Sequence, residues 1–143
     1  MRLYILIIML SLLATSLSAQ QSLSVSVSKG TVVLQMEGFN NIKGKAMCAM
    51  FTEGKWLDSG YGQTARIESK EATCEFKDIP YGTYGIAAFH DKDNDDKFDR
   101  FLGIPTEPGC FSNDAPAIFG PPSFNKARFI HDKPRTVLIC KID

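Results

Sequence analysis

The stretch Phe76-Lys77-Asp78-Ile79-Pro80-Tyr81-Gly82-Thr83-Tyr84-Gly85-Ile86-Ala87-Ala88-Phe89 sets the fold class. An apolar strand end meets a turn containing proline and glycine, and Tyr84 then reopens a run of strand character. A hairpin with Phe76 and Tyr84 both in the core is the simplest reading of that turn. Outward on either side lie Thr31 to Met36, Lys45 to Phe51, Thr64 to Glu68, Ala72 to Phe76, Ala127 to Ile130 and Arg135 to Ile142. Each is short and β-branched, aromatic or alternating, which is the strand signature. Gly38-Phe39-Asn40-Asn41-Ile42-Lys43-Gly44 breaks the first two runs apart, and no segment beyond residue 19 keeps a helical apolar period for three turns. About seven strands in one small chain predict an all-β fold, a single antiparallel β-sandwich.

Directly after the Phe89 strand comes His90-Asp91-Lys92-Asp93-Asn94-Asp95-Asp96-Lys97-Phe98-Asp99. Asp91, Asp93, Asp95 and Asp99 occupy positions 1, 3, 5 and 9 of a loop, and Lys97 at position 7 offers a backbone carbonyl. A hard cation such as Ca²⁺ takes about 6–8 oxygens, and side chains two residues apart on a curling loop converge on one point. An EF-hand loop would carry glycine at position 6 and a bidentate glutamate at position 12. Here those places hold Asp96 and Leu102, so a shorter loop opening from a strand fits better. Its remaining oxygens must come from Glu107, Asp114 or water. The competing reading is a solvated acidic turn, because Asp and Asn bond their own backbone. Calcium is preferred, since carboxylates this close repel one another without a cation.

The chain ends set the expected compartment. Met1-Arg2, the apolar run Leu3 to Leu13 and Ser16-Leu17-Ser18-Ala19 have the three regions of a secretory signal peptide. The run is too short to span a bilayer. Residues 1–19 are therefore expected to be a signal peptide and residues 20–143 a single domain. The product would be exported, whether periplasmic, at the cell surface or extracellular, with no transmembrane segment after cleavage. Lys and Arg total 16 and so do Asp and Glu; broad electrostatic binding to nucleic acid or anionic membrane is not implied.

All four cysteines, Cys48, Cys74, Cys110 and Cys140, fall in the exported part, where an oxidising compartment favours disulfides. Three connectivities are open, with Cys48–Cys74 and Cys110–Cys140 preferred. A Cys₄ zinc site lacks the expected CxxC pairs. Among other residues, Trp56 with Tyr61 forms a candidate ligand surface, against plain packing at the rim of the core. His90 reads as a strand-end histidine bonded to a backbone carbonyl or as a neighbour to the ion. His131 reads as a turn residue.

Two resemblances follow from these phrases. Phe76-x-x-x-Pro80-x-Gly82-x-Tyr84 resembles a turn that recurs in transthyretin-like (prealbumin) and collagen-adhesin-repeat-like sandwiches. Adding the His90-Asp91 loop, Gly103-Ile104-Pro105-Thr106-Glu107, Phe111-Ser112-Asn113 and Pro121-Pro122-Ser123-Phe124 in this order, the chain resembles an exported bacterial family known as domain of unknown function 2141. The likeness covers about residues 31 to 141. It implies a sandwich fold and no established activity. Asp96 stands where the family's loop has glycine, and the cysteines lie outside its pattern.

The functional expectation is a non-enzymatic, calcium-stabilised exported sandwich that binds a protein or glycan at the cell envelope. A metal-dependent hydrolase built on the aspartate cluster is the alternative; it requires a base beside an open metal position. A structural component of a cell-surface assembly is the third reading. The long segment from Phe101 to Phe124 is expected to be a calcium-stabilised loop covering a sheet edge.

Overall fold

The computed structural model describes residues 26–142; the expected signal peptide lies outside them. The fold is all-β. Strands β1 (Lys29–Glu37), β2 (Lys45–Phe51), β3 (Tyr61–Ala65), β4 (Glu71–Pro80) and β5 (Gly82–Asp91) precede the acidic loop. Beyond it come β6 (Arg100–Phe101), β7 (Ile104–Pro105), β8 (Gly109–Phe111), a one-turn helix α1 (Phe124–Ala127), β9 (Phe129–His131) and β10 (Arg135–Lys141).

One sheet has the order β10-β1-β4 and the other β3-β2-β5-β8, while β6 and β7 form a small separate hairpin. Alternation assigns the inner face of each. Val32, Leu34 and Met36 of β1, Ala72, Cys74 and Phe76 of β4, Ala46, Cys48 and Met50 of β2, and Tyr84, Ile86 and Ala88 of β5 are all buried in one cluster. Side chains at every second position face one side of a strand, so the two sheets close face to face over this core. Each fully buried Leu, Ile or Phe contributes roughly 1.5–3 kcal/mol. The disulfides Cys48–Cys74 and Cys110–Cys140 both join one sheet to the other, β2 to β4 and β8 to β10.

Three features depart from the sequence reading. The turn at Pro80-Tyr81-Gly82 is not a hairpin. Strand β4 pairs with β1 and β5 with β2, so the chain crosses between sheets at Tyr81. Phe76 and Tyr84 are nevertheless both buried, because each lies on the inner face of its own sheet. Secondly, β1 and β10 pair in parallel, the exception in an otherwise antiparallel fold. These strands lie at opposite ends of the described chain, so no tight turn forces them to oppose. Thirdly, His131 is fully buried in β9 rather than placed in a turn.

The Phe101 to Phe124 segment is more structured than a loop. Strand β8 pairs with Ala87, Ala88 and Phe89 of β5, and β9 pairs with Gly82, Thr83 and Tyr84 farther back on the same strand. Two short strands thus share one edge. Ser112 fills the gap between them: its Oγ accepts the Ile86 N–H at 2.8 Å and donates to the Ala127 carbonyl.

Candidate metal centre

Strand β5 delivers Asp91 to the start of the acidic loop with its side chain fully buried. Its cross-strand partner is Lys45, whose Nζ lies 3.4 Å from Asp91 Oδ2 and 2.6 Å from Asp96 Oδ1. The chain then curls. Asp91 Oδ1 accepts the Asp95 N–H at 3.2 Å and Oδ2 the Asp96 N–H at 3.1 Å. Asp93 Oδ1 accepts the Asp95 N–H at 3.2 Å, and Asp95 Oδ1 the Lys97 N–H at 2.8 Å. Asn94 and Asp96 sit at φ 62° and 65°, the left-handed region that Asn and Asp tolerate best after glycine. Asp96 therefore adopts the conformation a glycine would supply at position 6, at a cost of roughly 1 kcal/mol.

The bonds within the loop are Asx turns, which any acidic turn makes. Glu107 is different. It comes from outside the loop, just past the β6–β7 hairpin, and is only 4% exposed. Its Oε1 accepts the Lys92 N–H at 2.7 Å and its Oε2 the Asp99 N–H at 3.2 Å. A carboxylate offers about four lone-pair sites, so each oxygen keeps capacity for another partner. Ligand oxygens of Asp91, Asp93 and Asp95 lie within 4.8 Å of one another, and so do those of Asp93, Asp99 and Glu107. Asp93 belongs to both groups, which brings five carboxylates around one region.

Burial pushes the Asp91 pKa upward, but the Asp96 N–H and the Lys45 ammonium outweigh it and hold the carboxyl below its ordinary value. The hydrogen bond to Asp96 is the main cause that raises Lys45, against partial desolvation. Lys45 is the group that sequence reasoning missed. The sequence alone leaves the carboxylates uncompensated, whereas a lysine three strands upstream pairs with Asp91 and Asp96. The signal was present only as register, in the pairing of Lys45 with Asp91.

Other candidates fall elsewhere. Asp114 is not part of the acidic cluster; its Oδ1 accepts the Lys141 N–H at 2.9 Å. His90 faces the core, packs edge-on against Phe39 at 5.2 Å and has Nε2 2.6 Å from the Lys43 carbonyl. Trp56 packs against Phe51, Phe111 and Phe124 at centroid distances of 5.5, 6.0 and 5.7 Å. Its Nε1–H donates to the Pro122 carbonyl at 2.9 Å, whereas Tyr61 is exposed on β3. Trp56 thus takes the packing role at the rim of the core.

Residues 34–138 match a family described as an uncharacterised protein conserved in bacteria, DUF2141. No curated protein and no solved structure matches the chain.

Proposed function

The chain belongs to that bacterial family, and on this premise we propose that it is a non-enzymatic, calcium-binding β-sandwich that serves as a binding module at the cell envelope. The observation that carries the ion is Glu107. A buried carboxylate brought from outside the loop to the side of Asp93 and Asp99 fastens the loop through the Lys92 and Asp99 N–H groups and keeps a lone pair on each oxygen for a cation shared with those aspartates. It takes the place of the bidentate glutamate that an EF-hand loop carries at position 12. In this reading Asp91, Asp93, Asp95, Asp99 and Glu107 supply carboxylate oxygens and Lys97 its backbone carbonyl. Calcium and not magnesium suits a ligand set of five carboxylates and a carbonyl, because Mg²⁺ keeps several waters and takes only one or two carboxylates.

Residues 1–19 direct export and residues 20–143 form the working domain. Two disulfides between the sheets fit an oxidising compartment, and among the described residues no helix is long and apolar enough to cross a membrane. The hydrolase reading needs a base beside the metal, and the groups nearby in sequence are Glu107 and the imidazole ring of His90. That ring turns to the opposite side of β5 from Asp91, toward the core. The test is melting of chelator-treated protein with and without Ca²⁺, for the parent and for Asp93→Ala with Asp95→Ala. Calcium should raise the parent's melting temperature and leave the variant's unchanged. An equal rise in both would remove these aspartates from the site.

A further inference from the structure

The outer face of the five-stranded sheet built on β2 and β5 carries a groove that shares only Glu107 with the proposed ion site. Gly62, Ala49, Ala87 and Phe111 are register partners in sequence across β3, β2, β5 and β8. Three of these four are Gly or Ala, and a methyl group added at Gly62 would meet nothing within 4 Å. The row two residues along, Met47 with Phe89, stands higher on one side. On the other side Phe51 lies opposite Gly85, roofed by Trp56. Three steps between strands of about 4.8 Å make a trough roughly 14 Å long across the sheet.

Two exposed apolar segments extend its walls. Ile104 of the β6–β7 hairpin is 70% exposed and Ile118 of the segment after Asp114 is 72% exposed, and both line the groove. Exposed apolar surface gathered at a concavity marks an interaction site more than scattered apolar residues do. The charges at the groove are unequal in what they have left to give. Both oxygens of Glu107 accept backbone N–H groups, and Asp114 accepts one. Arg100 and Lys141 line the same groove, and among the described residues neither has a carboxylate within 4.0 Å of its side chain. The guanidinium of Arg100 lies over the Phe98 ring at 5.2 Å. Arg100 and Lys141 are thus exposed cations without an ion-pair partner among the described residues at this apolar trough, beside the buried Glu107 and the exposed Asp114.

We propose that the groove binds a long-chain carboxylic acid. The acyl chain lies in the trough over Ala49 and Ala87, against Ile104 and Ile118, and the carboxylate pairs with Arg100 or Lys141. An apolar peptide would need backbone hydrogen-bonding partners, and the central strands β2 and β5 are already paired on both sides. An acyl chain needs none. The inference rests on the binding-module reading for its purpose and names its ligand class; it does not depend on the ion.

The test is fluorescence titration of the purified protein with dansyl-undecanoate, followed by displacement with palmitate, octanoate and hexadecanol. Saturable enhancement with one site per chain is expected. Each methylene taken from water is worth about three- to fourfold in affinity, so octanoate should compete more than roughly a hundredfold more weakly than palmitate. Hexadecanol, lacking the charge, should compete about tenfold more weakly. Gly62→Leu fills the trough where there is open space and should weaken binding at least about tenfold with the melting temperature unchanged. Arg100→Glu, at an exposed position, should weaken palmitate and spare hexadecanol. Absence of saturable binding would overturn the proposal, as would parent-like affinity in Gly62→Leu, or displacement by an apolar peptide and not by palmitate. A parallel calcium titration separates the two readings: calcium binding without palmitate binding defeats the groove alone, and palmitate binding without calcium binding defeats the ion alone.

Discussion

Two polar segments adjoin strand β5, one continuing its end and one following β8 along its edge, and they spend their oxygens in opposite ways. In Ser112-Asn113-Asp114 every functional side chain is bonded to backbone of another element: Ser112 to Ile86 and Ala127, Asn113 Nδ2 to the Arg128 carbonyl at 2.8 Å, and Asp114 to Lys141. These residues fasten the end of β8 to β5, to the end of α1 and to β10. In the acidic loop, by contrast, the carboxylates bond mostly to their own loop and are pooled with Glu107. Residue type alone does not distinguish a fastening segment from a ligand-bearing one. What the acceptors face does. A polar phrase bonded outward to distant backbone fastens the fold, and one whose oxygens converge on each other is a candidate site; Glu107 does both.

The comparison can be broken most strongly through the disulfides, which hold the fastening side. Reduction, or paired replacement of Cys110 and Cys140 by serine, should cost about 2–4 kcal/mol per bridge in denaturant unfolding. It should do so equally with calcium and with chelator. A mass measurement of four free thiols in the native protein would defeat this. Next in size is the ion itself: at about a hundredfold excess over its dissociation constant, calcium should stabilise the parent by about 2.7 kcal/mol. Glu107→Gln should remove most of that gain while leaving the chelator-treated stability within about 1–2 kcal/mol of the parent.

Ser112→Ala is the matching change on the fastening side. It strands the buried Ile86 N–H and should cost about 1–3 kcal/mol, with the calcium increment preserved. A calcium increment lost in Ser112→Ala would join the two regions into one unit. The smallest effect is electrostatic. The Asp91 pKa is lowered from its ordinary 3.8, so the stability it contributes is full above that value and fades as pH falls through the lower folded value. In chelator, Asp91→Asn should lose that acid-side slope; an unchanged slope would show that the Lys45 pair contributes nothing. Lys45, raised from 10.5, contributes below that value and loses its contribution only as pH climbs past it.

Much of this arrangement was legible in the sequence, and the failures have specific causes. Strands β4 and β10 are visible because inner and outer residues alternate along most of their length, and β1, β2 and β5 because they are short apolar, β-branched or aromatic runs between turn residues. The crossing at Tyr81 is not, since Pro80-Tyr81-Gly82 turns the chain equally well into the same sheet or into the opposite one. Strand β8 is three residues long and carries no periodicity to read; its place depends on Ser112 and the Cys110 bridge. His131 precedes Asp132-Lys133-Pro134, so turn chemistry masked a buried strand end held by a 2.7 Å bond to Thr136. Around the acidic loop the spacing of Asp91, Asp93, Asp95 and Asp99 was readable, and Glu107 was named as an outside contributor together with Asp114. Choosing between those two required the path of the β6–β7 hairpin. That hairpin closes when the Thr106 N–H bonds the Asp99 carbonyl at 3.0 Å, and so returns Glu107 to the loop.

Lys45 shows why charge counting along the chain is incomplete. A cation remote in sequence lies beside the carboxylates and neutralises part of their repulsion, so the argument for an ion rests on the buried Glu107 instead. Calorimetric titration of chelator-treated protein with Ca²⁺ and then Mg²⁺ tests that argument most directly. Stoichiometric binding selective for Ca²⁺, and lost in Glu107→Gln, is the predicted result. Absence of heat with either ion, in protein whose disulfides are intact, would contradict it and leave the ammonium groups of Lys45 and Lys97 as the cations that face these carboxylates.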